Sequence, residues 1–232
     1  MEHSLLYISF DIIIKIQPLI PYNFMLVSHA HNRALLVGDL VLQKSQLSDL
    51  PEIVDCHKDA FPAALSTKQG SRFISKMMEW YISSGRGVLF HVYDDEGEMA
   101  GYCGGIVTRK PGLLGAVSSI SQYAFKDFLK SYLRKPWLFL HPENLKKSPY
   151  ILKNLMIRFG IKKKAGQVST TDEENFQPFM GLVVIGVKKK YHGKGYGSIL
   201  LQEFERVAKT QRDIKRIQLS VKAHNEKAIK SY

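Results

Sequence analysis

The residues best placed to do chemistry are three glycines at alternate positions, Gly193, Gly195 and Gly197, within His192-Gly193-Lys194-Gly195-Tyr196-Gly197-Ser198. Glycine has no Cβ, so a loop this rich in it lets successive backbone N–H groups turn toward one side. Leu182, Val183, Val184, Ile185 and Val187 precede the loop as an apolar, β-branched run, short and valine-rich as a buried strand is. Ile199, Leu200, Phe204, Val207 and Ala208 follow it at helical spacing. The predicted order is therefore strand, glycine loop, helix. The first N–H groups of such a helix have no internal partner and its dipole is positive there, so the loop is a receptor for phosphate.

What the loop lacks narrows the ligand. Lys194 is followed by glycine, not by the serine or threonine that holds magnesium in a P-loop. Counted from Gly193, the third glycine of a dinucleotide fingerprint belongs at position 198, where Ser198 stands. The segment from His192 to Gly197 instead resembles the pyrophosphate loop of the GNAT superfamily of N-acetyltransferases, whose pattern is Gln or Arg, two residues, Gly, one residue, then Gly or Ala. His192 stands where Gln or Arg is usual. Val187, four residues before Tyr191, is similar to the same family, as is the later run Leu219, Val221, Asn225, Ala228, Tyr232.

That resemblance implies an α/β fold, a mixed central sheet flanked by helices, and an enzyme moving an acetyl group from acetyl-coenzyme A to a primary amine. It implies that N–H groups from Gly193 through Lys194, Gly195, Tyr196 and Gly197 to Ser198 hold the coenzyme pyrophosphate, beside His192. The backbone of Ile185, Gly186 and Val187 would pair with the pantetheine arm as an added strand. Tyr232 matches the position of the family's general acid, and Asn225 that of a residue touching the coenzyme arm. The family often supplies a glutamate base from the central strand, but no acidic residue lies between Phe179 and Val187. Glu173 and Glu174, just upstream, are the candidates left, with His91, His141 and His224 as other proton carriers that nothing ranks. No metal is expected: His29 and His31 form a His-x-His pair without a third ligand nearby.

The elements that must position these residues are legible from Leu40 onward. Val41 to Gln43 reads as a strand, and Ser48 as the cap of a helix with Asp49, Pro51 and Glu52 in its first turn. Ile53, Val54, His57 and Ala60 give that helix one apolar stripe, with His57 as a half-buried packing residue. Phe73, Ile74, Met77, Met78, Tyr81 and Ile82 mark a second helix. Val88 to Tyr93 and Met99 to Val107 form a hairpin around Asp94-Asp95-Glu96-Gly97, with Gly101, Gly104 and Gly105 thinning one face of its second strand. Strand, two helices and a hairpin is the order the resembled family shows before its glycine loop.

Residues 110–178 depart from that family as a helical, basic insertion before the central strand. Phe125, Phe128, Leu129, Tyr132 and Leu133 mark one helix of it, and Ile151, Leu152, Leu155, Met156 and Phe159 another. Between Lys126 and Lys164 eleven lysines and arginines face Asp127 and Glu143, a net +9 within a chain of +12. This reads either as a solvated helical face or as a lid for an acidic substrate or the coenzyme phosphates. A final strand of Ile217, Leu219 and Val221 leads to a short helix capped by Asn225, and the family's two further strands are missing after it. A free sheet edge or a partner-supplied strand is the expected consequence.

Length and a 45% hydrophobic composition suit one core-forming domain over 39–232. Residues 1–38 are an apolar leader or extra strand around Tyr7 to Ile16, interrupted by Asp11, Lys15, Pro18 and Pro21 before any run reaches the about 18 residues of a membrane helix. No secretory signal is present, so the expectation is a cytoplasmic protein without a membrane partner, in which a homodimer is allowed. Cys56 and Cys103 read as buried thiols of a reducing compartment. The strong positive charge also suits nucleic acid. The alternatives to an enzyme are therefore a non-catalytic basic nucleic-acid-binding module, or a degenerate acyl-coenzyme A sensor on the same fold.

Overall fold

A computed structural model describes residues 11–13, 35–37, 40–111, 113, 115–142, 144 and 176–222. The strands are β1 (Asp11–Ile13), β2 (Leu35–Val37), β3 (Leu40–Lys44), β4 (Gly87–Tyr93), β5 (Met99–Thr108), β6 (Phe179–Val187) and β7 (Arg216–Lys222). The helices are α1 (Leu50–Ala60), α2 (Leu65–Gln69), α3 (Ser71–Ser83), α4 (Ala116–Tyr123), α5 (Phe125–Arg134) and α6 (Tyr196–Thr210). The strands form one sheet in the order β1-β7-β6-β5-β4-β3-β2. All neighbours are antiparallel except β6 and β7, which run parallel, so the expected mixed α/β architecture is present.

Strand period explains the layers. Successive side chains point to opposite faces, so Leu89, Tyr102 and Ile106 look one way, toward Ile53 and Val54 of α1 and Ile74, Met78 and Tyr81 of α3. Phe90, Cys103, Val107 and Met180 look the other way, toward Leu200, Phe204 and Ala208 of α6. β5 is buried along its whole length, as a strand covered by helices on both faces must be. Cys56 and Cys103 are both free and buried, and burial pushes the Cys56 thiol up to about 12.

Three local expectations need correction, and one helix was not anticipated. Ser48 does not cap α1: the chain enters through a 3-10 turn, Leu47–Asp49, in which Gln46 and Asp49 cap each other, and the Ser48 hydroxyl bonds Asp49 Oδ1 at 3.2 Å. The short helix α2 had no periodic signal, being one turn held by local bonds such as Lys68 N to Ala64 O at 3.1 Å. The β5 glycines thin both faces, because Gly101 and Gly105 approach Leu200 and Phe204 of α6 whereas Gly104 faces Tyr81 and Leu89. Finally, the outer edge of β7 is not left free: Ile13, Ile12 and Asp11 pair antiparallel with Ser220, Val221 and Lys222.

His57 is a fully buried member of the core, not a half-buried one. Its Nδ1 lies 2.5 Å from the Tyr102 hydroxyl and its Nε2 2.8 Å from Ser66 Oγ, so α1, α2 and β5 are tied by one imidazole. Both ring nitrogens are satisfied without a charge, and burial pushes its pKa down to about 4.

Two outcomes follow from this packing. A methyl at Gly105 would sit 2.3 Å from Phe204 Cε2 and 2.8 Å from the Gly181 carbonyl, so Gly105→Ala is expected to lower stability by about 1–3 kcal/mol, read as a lower urea midpoint. His57 stays neutral in the fold where an unfolded His near 6.5 takes up a proton, so stability is complete above pH 6.5 and declines as pH falls toward about 4. The loss reaches at most about 3 kcal/mol, and a pH series in urea should show His57→Gln flattening that decline; an unchanged slope would remove the assignment.

Candidate active site

β6 is held on one edge along its full length and on the other only in part. Phe179 to Leu182 pair with Arg216 to Leu219 of β7, and there the pairing ends. β6 continues to Val187, while Ser220 to Lys222 of β7 have their ladder partners on the outer edge only, in β1. The two parallel strands therefore splay from Val183 onward, and the edge of β6 facing β7 presents main-chain donors and acceptors without a ladder partner among the described residues. On the opposite edge Gly104 faces Val184 and Gly105 faces Leu182, so Val183 is the extra residue of a β-bulge. Its side chain is 38% exposed where the strands part. Such an edge is a template for an extended chain carrying amides.

The glycine loop closes the wide end of this wedge. Lys188 N bonds Ala100 O at 2.9 Å, a 3-10 turn spans Lys189–Tyr191, and α6 then starts at Tyr196 with Gly195 as its N-cap. Gly193 and Gly195 adopt φ of 79° and 88°, the left-handed region that costs any other residue about 1–2 kcal/mol. Lys194 N reaches Tyr191 O at 3.2 Å and Ile199 N reaches Gly195 O at 3.1 Å. Between them the amides of Gly195, Tyr196, Gly197 and Ser198 have no backbone acceptor among the described residues. A Cβ built at Gly193, Gly195 or Gly197 would meet nothing within 4 Å, so open space borders the loop at all three glycines. An open cradle of unpartnered amides at the start of a 15-residue helix has the donor set and dipole that fit a pyrophosphate.

The loop is braced from the β4–β5 hairpin turn. Asp94 Oδ1 accepts the amides of Glu96 at 3.1 Å and Glu98 at 2.7 Å, and its Oδ2 accepts the hydroxyl of Tyr191. Burial pushes the Asp94 carboxyl up, but the Tyr191 hydroxyl and the two amides outweigh it and hold it below its ordinary value. Tyr191 is buried, and its ring lies 5.0 Å from that of Tyr196 in the first turn of α6. Glu98 accepts Lys188 at 3.0 Å and also Lys190. His192 Nε2 donates to Val187 O at 3.0 Å, which requires the proton on that nitrogen and ties the loop to the end of β6.

Sequence-selected residues thus separate into three groups. Ile185, Gly186, Val187 and the loop His192 to Ser198 come together at one end of the splayed strands. Tyr232, Asn225, Glu173, Glu174, His224, His29, His31 and the helix read at Ile151 to Phe159 lie outside the described residues. His91 is removed from the wedge: it lies on β4, fully buried, with Ser45 Oγ at 2.8 Å and Gln43 Nε2 at 3.0 Å, both from the β3 side of the sheet. Two features escaped sequence reading. The Asp94–Tyr191 brace joins residues 97 apart, and the Tyr102–His57–Ser66 chain sits behind Gly186, whose ladder partner is Tyr102. No group of three His, Cys, Asp or Glu side chains suited to a metal ion occurs among the described residues.

The model of the acetyltransferase (GNAT) family matches residues 118–232. No curated protein matches the chain. Among solved structures, a possible acetyltransferase from Clostridium difficile 630 shares 10% identity over 83% of this chain and 86% of its own, with a TM-score of 0.49. Arabidopsis thaliana NAA60 in complex with a bisubstrate analogue shares 16% over 83% and 80%, with a TM-score of 0.46. The aminoglycoside N-acetyltransferase AAC(6')-Iy in complex with CoA shares 10% over 88% and 87%, with a TM-score of 0.47. Through residues 118–232, which carry β6, the glycine loop, α6 and β7, this chain belongs to the acetyltransferase (GNAT) family.

Proposed function

We propose that the chain is an acetyl-coenzyme A-dependent N-acetyltransferase, with residues 39–232 as its catalytic domain and 110–178 as an insertion in it. The observation that carries this reading is the parting of β6 from β7 after Leu182, directly beside an open loop of unpartnered amides. An acyl thioester on a pantetheine arm needs both: amides for the diphosphate, and an unpaired strand edge for the arm's own amides.

In this reading the loop Gly193 to Ser198 holds the pyrophosphate through the open amides of Gly195 to Ser198, and Ile185 to Val187 pair with the arm. The reacting carbonyl then lies along the splayed part of β6, where a backbone N–H stabilises the oxygen of the tetrahedral intermediate. Losing one such donor raises a barrier by roughly 2.7 to 4 kcal/mol, so strand geometry carries the larger share of the catalysis here. The amine nitrogen attacks the carbonyl carbon, the carbon–sulfur bond breaks, and the thiolate leaves with a proton assigned to Tyr232. A primary amine with pKa about 10.4 is neutral in only about one molecule in a few thousand at pH 7, so a base must take its proton. Glu173 and Glu174 remain the candidates for that task, with Asn225 on the coenzyme arm.

Acetyl-coenzyme A should raise the unfolding temperature of the full chain, and amines should release free thiol from it. Thermal stabilisation without thiol release across an amine panel would make the protein a sensor. Salt-sensitive RNA or DNA binding with no coenzyme response would replace the reading altogether. The brace predicts a second effect. Asp94→Asn removes the charge that accepts the Tyr191 hydroxyl, so coenzyme A should bind roughly tenfold more weakly in calorimetry, with about 1.5–3 kcal/mol of stability lost. Unchanged affinity in a destabilised variant would show that the brace does not position the loop.

A further inference from the structure

The segment from α5 to the 3-10 helix Pro136–Leu140 exposes apolar side chains along its length, and α5 exposes cationic ones as well. Leu133, Leu140, Trp137 and Phe139 are 76%, 73%, 63% and 61% exposed, the four most exposed large hydrophobic side chains among the described residues. The helix explains the arrangement. Ser131 and Tyr132 are buried and the Phe128 ring lies 6.2 Å from Phe73 of α3, which fixes the inward side of α5. At about 100° per residue, Leu129 and Leu133 then emerge on one flank with Lys126, Lys130 and Arg134 beside them. Asp127, the one carboxylate of α5, is taken by Arg72. No ion pair holds Lys126, Lys130 or Arg134 among the described residues.

We propose that this face lies on an anionic phospholipid surface, with Leu133, Trp137 and Leu140 at the boundary of headgroup and acyl chain and Lys126, Lys130 and Arg134 among the lipid phosphates. Charge complementarity selects this occupant. A second copy meeting the same face about a two-fold axis would bring three unpaired cations against three. Nucleic acid would use the cations and Trp137, but would leave Leu129, Leu133 and Leu140 in water. A lipid boundary takes aliphatic side chains, a tryptophan and lysines together. Run length excluded a membrane in the sequence, and no helix of the described residues is long and apolar enough to cross one. A helix lying in the surface is judged by its two faces instead, and α5 at ten residues is about 15 Å long, half a bilayer core. The proposal is independent of the transferase reading.

The test uses the full chain with vesicles of phosphatidylcholine alone or mixed with phosphatidylserine. The chain has two tryptophans, and Trp80 is buried, so a blue shift of emission reports Trp137. The expected result is sedimentation with the phosphatidylserine vesicles, accompanied by the blue shift and weakened by salt. The triple variant Lys126→Glu, Lys130→Glu, Arg134→Glu should lower partitioning roughly a hundredfold or more, at about fivefold per cation removed. Leu133→Ser with Leu140→Ser should lower it roughly tenfold or more while unfolding at an unchanged temperature. Equal partitioning onto phosphatidylcholine, or no sedimentation at low salt, overturns the proposal. So does a lipid-free blue shift induced by RNA or polyglutamate, or a concentration-dependent dimer that Leu133→Ser dissolves. The wild-type lipid and salt dependence decides the matter even if a variant fails to fold.

Discussion

A strand held firmly on one edge and released on the other is the constraint on which this molecule depends. β6 keeps its full ladder with β5 while losing β7 after Leu182, and both halves of that statement need a cause. The firm half comes from β5, buried on both faces, whose glycines let Leu200 and Phe204 of α6 approach from one side and Tyr81 from the other. The released half begins at the Val183 bulge, which adds local twist to β6 where its ladder with β7 stops, while β1 occupies the opposite edge of β7. A flat sheet closed to its end would hold no cleft.

The glycine loop inherits its position from this arrangement and adds little charge of its own. Lys188 and Lys190 are occupied by Glu98, and the ammonium groups of Lys190 and Lys194 stand 4.8 and 5.4 Å from the Tyr191 ring centre. What is left facing the open side is main chain: four amides and the positive end of α6. Fixed dipoles of this kind need no reorganisation when an anion arrives, whereas flexible lysines lose rotamer freedom in closing on one. The hairpin turn matters for the same reason. Asp94 is a buried carboxylate made tolerable by three donors, and spending one of them on Tyr191 turns a local turn motif into a strut for a loop far along the chain.

How much of this could be read from residues alone divides along the range of the interactions involved. The strand, loop and helix from Phe179 to Thr210 were legible because β-branched runs, glycine spacing and helical period are all local signals. The β4–β5 hairpin was legible for the same reason. The splay was not, since it depends on where the β6–β7 ladder stops and on a one-residue bulge at Val183, neither of which leaves a periodic signal. Ser48 misled because a serine before Asp-x-Pro is a strong cap signal, yet Gln46 and Asp49 satisfied each other first. His57 looked amphipathic on its helix and is instead buried, because two hydroxyls from other elements complete its hydrogen bonding.

The charge of the chain has a distribution that separates two tasks. Lys188, Lys190 and Lys194 beside the cleft are paired or set over an aromatic ring, so what the glycine loop offers an anion is chiefly backbone dipole. Among the described residues, Lys126, Lys130 and Arg134 of α5 have no ion pair and share that segment with the most exposed large apolar side chains. Burying Leu133, Trp137 and Leu140 against the chain's own core would have stabilised the fold, by roughly 1.5–3 kcal/mol for each fully buried side chain. Leaving them in water while neighbouring Phe128 and Tyr132 pack inward therefore sets the two sides of one short helix apart: one belongs to the core, and the other is free to meet a surface outside it.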